Sequence, residues 1–84
     1  MKYTVHWLPL AEQELAALWV QAAIRSEVTR AANSIDQELE RAPETLGESR
    51  SKGLRVHFEA PLGILFQVRS DLKLVEVVHV WRFD

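Results

Sequence analysis

Cysteine is absent from this 84-residue chain, which removes disulfides and thiolate metal sites as sources of stability and fits a reducing compartment. Long apolar runs are absent too: the longest are strand-sized, and the opening MKYTVHW lacks the apolar core of a signal peptide. A soluble, cytoplasmic protein with no membrane partner is therefore expected. Net positive charge is also missing. At −2, the chain is not a generally basic nucleic-acid binder. There is no Gly-rich phosphate loop, no serine-nucleophile signature and no metal-spaced His/Asp/Glu cluster. The histidines stand at 6, 57 and 79 with no spacing that implies convergence, so neither a metal nor another cofactor is expected.

What is present reads as one domain over residues 1–84. A chain this short buries only about 60% of the surface its unfolded form exposes, and a binding partner would add to that burial. Lys2 to Trp7 alternates, with Tyr3, Val5 and Trp7 on one side, as a strand with one buried face does. Pro9 suits the first turn of a helix, where its missing N–H is no loss. Leu15, Leu18, Trp19 and Ala22 then form an apolar stripe. Ser26 is the expected N-cap of a second helix with the stripe Val28, Ala31, Ala32, Ile35 and Leu39, ended by Pro43. GESRSKG (47–53) reads as a loop or short edge strand. Leu54, Val56 and Phe58 alternate toward a core, leaving Arg55, His57 and Glu59 outside, and Leu62, Ile64, Phe66 and Val68 face the core from the next strand. In LVEVVHVWRF the period breaks between Val77 and Val80, which predicts a β-bulge near Val78 or His79. The order β-α-α-β-β-β makes an α+β domain, a helical hairpin packed on a small antiparallel sheet.

The chemically useful side chains gather in the second half. Residues 1–47 carry four Lys/Arg against seven Asp/Glu, and residues 48–84 carry six against five. RNA cleavage through a 2′-hydroxyl needs a proton acceptor, a proton donor and cations at the phosphorus. Histidine and glutamate suit the proton steps, and arginine suits the charge. The expected catalytic set is Arg55, His57, His79 and Arg82, with Glu48 as an alternative base. Arg50 and Lys52 would contact RNA, and Trp81 would stack on a base. The same residues have a plain structural reading. Arg55, His57 and Glu59 would form a solvated strand face, Arg82 would pair with Asp84 or Glu76, and Trp7, Trp19 and Trp81 would pack in the core.

Over nearly its full length the chain resembles toxins of the RelE/ParE superfamily of type II toxin–antitoxin modules. The resemblance rests on MKYTVHWLPLAEQELAALW, the helical hairpin ended by Pro43, the hairpin LRVHFEAPLGILFQV and the terminal LVEVVHVWRF. It implies a compact toxin neutralised by a cognate antitoxin protein. RelE-like members are ribosome-dependent mRNA endonucleases that cut without a metal, using basic side chains on the sheet; ParE-like members inhibit DNA gyrase and lack a nuclease site. In RelE-like chains basic residues stand at the positions of Arg55 and His57, and the last strand carries a His or Arg pair before an aromatic, matched in part by Arg82 and Phe83. Gly63 departs from that pattern, standing where an arginine usually opens the second hairpin strand. The implied partners are an antitoxin and either the ribosome with its mRNA or DNA gyrase.

Overall fold

The computed structural model describes residues 2–83 and begins with strand β1 at Thr4–Trp7, followed by helix α1 at Pro9–Gln21 with Pro9 in its first turn. Helix α2 spans Arg25–Arg41 and stops just before Pro43. Ser26 is not its cap. Ile24 holds that position in an extended conformation without a side-chain bond, and Ser26 already lies inside the helix. The turn is secured instead by the first residue of α2 acting on the end of α1. Arg25 donates to the carbonyls of Trp19 and Val20 at 3.3 and 3.2 Å, satisfying groups that a helix C-terminus leaves open. Its guanidinium also lies 4.8 Å over the Trp19 ring, whose Nε1 donates to Thr29 Oγ1. Trp19 is consequently not core: it is 41% exposed and clamps the hairpin from outside.

Four further strands complete the chain: β2 at Glu48–Ser49, β3 at Leu54–Glu59, β4 at Leu62–Arg69 and β5 at Leu74–Arg82. Their order in the sheet is β1-β5-β4-β3-β2. The sheet is mixed, not antiparallel as expected, because β1 runs parallel to β5 with Thr4 beside Leu74 and Trp7 beside Val77. Hairpins fix the direction of β3, β4 and β5, but β1 reaches its neighbour only through the two helices. The expected bulge is present. His79 faces Leu65 while Val77 faces Phe66, so Val78 is left over in the β4–β5 ladder.

One face of the sheet is closed by the helices. Leu62, Ile64, Phe66, Val75, Val77 and Val80 are buried there against Ala11, Val28, Ala31, Ile35 and Leu39. Full burial of each large member contributes about 1.5–3 kcal/mol. Strand β3 does not join this face as its alternation suggested. Only Ala60 and Pro61 separate β3 from β4, so Glu59 pairs with Leu62, His57 with Ile64 and Arg55 with Phe66. Paired residues point to the same side of a sheet. Arg55, His57 and Glu59 therefore lie on the helix side, and Leu54, Val56 and Phe58 on the open side. A loop one residue longer would have reversed this, since a single step of register exchanges the two faces.

The far end of the sheet is tied by polar contacts. Glu44 accepts from the Ser70 hydroxyl. That bond, with further help from the Tyr3 hydroxyl and Lys73, holds the Glu44 carboxyl below its ordinary range. Lys73, in the left-handed conformation, sets its ammonium 4.8 Å over the Tyr3 ring, and Arg69 pairs with Glu76 at 2.9 Å.

Candidate functional site

The open face of the sheet carries an aromatic row at one end. Phe58, Gly63 and Trp81 are neighbours across β3, β4 and β5. Phe58 meets Trp81 edge-on at 6.1 Å between centroids and Phe83 at 4.9 Å. Half-buried Val56 and Leu65 continue the apolar surface inward, while Phe58 and Phe83 remain 47% and 44% exposed. The absence of a side chain at Gly63 now has a cause. A Cβ there would lie 2.7 Å from Cε2 and Nε1 of the Trp81 indole, which rests on the glycine. An arginine at this position requires Trp81 to leave.

The polar residues of β3 are occupied on the opposite side. Arg55 donates Nε to the carbonyl of Leu46 at 2.7 Å and Nη2 to that of Gly47 at 3.0 Å, so its guanidinium holds the incoming loop. Gly47 fits there because its φ is +68° and any Cβ would run into the carbonyl of Val56. His57 Nε2 lies 3.5 Å from Glu38 of α2 and 3.8 Å from Glu59. Glu48 and Arg50 pair with each other at 3.3 Å on the exposed edge, and Lys52 sits in the exposed 50–53 turn.

His79 stands in the bulge, where Glu14 of α1 binds it at Nδ1 (3.3 Å) and accepts the Val80 N–H (3.0 Å). Arg82 is exposed near the end of β5 and makes no ion pair among the described residues. Its expected partner Glu76 is taken by Arg69, and Asp84 lies outside the described residues. The sequence-derived set is thus distributed: Arg55 and His57 on the helix side of β3, Glu48 and Arg50 on the outer edge, His79 in the bulge beside Glu14 of α1, Arg82 opposite Leu62, and Trp81 on the open face. What the structure brings together instead is Phe58–Trp81–Phe83 and Glu38–His57–Glu59. Glu38, absent from the sequence-derived set, carries a sequence signal of its own. It lies three residues after Ile35 and seven after Ala31, inside the apolar stripe of α2, so a carboxylate there faces the sheet and requires a polar partner.

A second apolar surface opens between the helices and β1. Val5, Trp7, Leu15, Trp19 and Val28 line it, with Asp36 accepting the Trp7 Nε1–H at 3.1 Å.

No family model matches the chain, and no curated protein matches it in sequence. Solved structures match its fold closely. A chain of the RelBE2 toxin–antitoxin complex from Mycobacterium tuberculosis superposes with a TM-score of 0.82 at 16% identity, over 99% of this chain and 93% of that one. A chain of the chromosomal ParDE system from P. aeruginosa gives 0.72 at 17% identity, covering 98% and 97%. The isolated E. coli RelE toxin gives 0.70 at 14% identity, covering 98% and 85%. Two helices on a five-stranded mixed sheet are the fold these toxins share with this chain.

Proposed function

We propose that the protein is the toxin of a type II toxin–antitoxin module and that it arrests growth by binding a protein target, as a ParE-like inhibitor of DNA gyrase in the cytoplasm. The observation that carries this reading is the Trp81 indole lying on Gly63. It replaces with an aromatic surface the position from which a RelE-like nuclease would present an arginine to the scissile phosphate. Losing one preorganised stabiliser of transition-state charge lowers a rate by about 10²–10³. Of the alternative cations, Arg55 is bound to two loop carbonyls on the other side of the sheet, and Arg82 stands opposite Leu62 in the β4–β5 ladder, which turns it to the helix side as well. An exposed aromatic cluster flanked by aliphatic residues is chemistry suited to a protein interface.

The antitoxin partner is supported by the fold match to chains from toxin–antitoxin complexes. It is also supported by the apolar surface between α1, α2 and β1, which suits an amphipathic segment laid along it.

Expression in a bacterium, followed by transcript mapping and a supercoiling assay with purified gyrase, tests the proposal. Growth arrest with intact transcripts and inhibited supercoiling is expected, and Trp81→Ala or Phe58→Ala should relieve both arrest and inhibition. Cleaved transcripts that disappear in the Arg55→Ala/Arg82→Ala double variant would overturn it in favour of RelE-like mRNA cleavage.

A further inference from the structure

Glu38, His57 and Glu59 offer one imidazole nitrogen and two carboxylate oxygens, all within 4.8 Å of one another. Their spacing is too long for hydrogen bonding and well suited to an ion between them. His57 Nε2 stands 3.5 Å from Glu38 Oε1 and 3.8 Å from Glu59 Oε1. Nε2 of His57 and Oε1 of Glu38 are both shut off from solvent, and neither has a hydrogen-bond partner among the described residues. Leaving such an atom unsatisfied costs about 1–3 kcal/mol, so two adjacent orphans aimed at one point require an explanation. Around a tetrahedral zinc ion, with bonds of about 2.0–2.2 Å, neighbouring donors lie roughly 3.3–3.6 Å apart. The two distances to His57, 3.5 and 3.8 Å, are within a few tenths of an ångström of that spacing, and the two carboxylates, no more than 4.8 Å apart, close on a shared ion by side-chain rotation.

We propose that Glu38, His57 and Glu59 form a binding site for a first-row divalent cation of the Zn²⁺ type, with water completing the coordination. The donor set fixes the class. One imidazole with two carboxylates suits Zn²⁺ and its neighbours in the row, whereas Mg²⁺ prefers oxygen donors and retains its own waters. The backbone holds the ligands in place: His57 is locked in the ladder opposite Ile64, Glu59 follows two residues later on the same face, and Glu38 descends from α2. The two glutamates keep 29% and 30% of their side-chain surface exposed, which leaves a route for the ion. A bound ion joins the C-terminal part of α2 to the end of β3. The site is independent of whether the protein is a toxin.

The purified chain, stripped with chelator, is titrated with Zn²⁺ by calorimetry and followed by thermal unfolding. Co²⁺ serves as a spectroscopic substitute through its visible d–d absorption. One equivalent should bind, raise the melting temperature, and give the absorption of a nitrogen/oxygen site. Second-shell changes typically weaken metal binding about 10–100-fold, so His57→Gln or Glu59→Gln, each removing a ligand, should weaken it at least 100-fold. Circular dichroism verifies folding, and Glu59→Gln carries the test if His57→Gln does not fold. His79→Gln should bind as the parent does. Absence of saturable binding, or binding that survives the ligand variants unchanged, would overturn the site.

Discussion

The two faces of the sheet are both apolar, and they differ in what completes them. On the helix side, Leu62, Ile64, Phe66, Val75 and Val77 are fully buried under α1 and α2. On the open side, Val56, Leu65 and Trp81 are half-buried, and Phe58 and Phe83 are largely exposed although they pack on one another. The first surface is finished by the chain itself, and the second gains its remaining burial only from another molecule. Alternation along a strand therefore reports that one side is apolar, not that this side is the core. In β3 the apolar side is the open one, and its polar side faces a helix that supplies Glu38.

The sharpest way to separate the faces is to truncate one aromatic on each. Phe66→Ala should cost about 3–5 kcal/mol in urea unfolding, because it opens a void in a fully enclosed site. Phe58→Ala should cost less, about 1–3 kcal/mol, since it removes two edge-on aromatic contacts and little buried surface. Equal losses would mean that the open face is a second core.

Filling the glycine tests the same contrast from the other direction. Gly63→Arg should destabilise the fold by about 1–3 kcal/mol by driving into Trp81. Adding Trp81→Ala should recover part of that loss, a non-additivity visible in a double-mutant cycle. Additive losses would remove the indole as the reason for the glycine.

Arg55→Ala should cost about 1–2 kcal/mol through the two charge-assisted bonds to the loop carbonyls. Hydrogen exchange should accelerate at residues 46–50 while the growth arrest proposed above is retained. Loss of that arrest in a folded variant would assign Arg55 to the proposed target surface.

The smallest effect lies at the sheet's far end and belongs to neither face. The Glu44 carboxyl sits below its ordinary range, so its bond to Ser70 stabilises the fold fully above the unfolded carboxylate range and is lost as pH falls through the lowered value. Melting temperatures of the parent and Ser70→Ala should differ near neutral pH and converge in acid. A gap that persists in acid would exclude the carboxylate as its source.

Much of this fold is legible in the sequence because its signals are local. Pro9, the α2 stripe, the bulge before Val80 and the short strand inside GESRSKG each depend on a few neighbouring residues. The direction of β1 was not legible, since its partner lies some seventy positions away and alternation carries no direction. Nor was the facing of β3, which turns on one residue in a turn. The Glu38–His57–Glu59 cluster required both of those facts in addition to the helix packing, so a search by spacing misses it.

The parallel seam between β1 and β5 also sets the order of assembly. A chain made from its N-terminus produces β1 and α1 first, yet β1 takes its ladder partners from residues 74–77, and α1 closes on β5 through Glu14 and the Val80 amide. Among the described residues β1 has no strand to join until β5 exists. Contacts of such long sequence separation are entropically expensive to form and slow the final step. Docking of β1, and of the helices that follow it, is thereby deferred until β5 has been made, although β2, β3 and β4 can pair earlier.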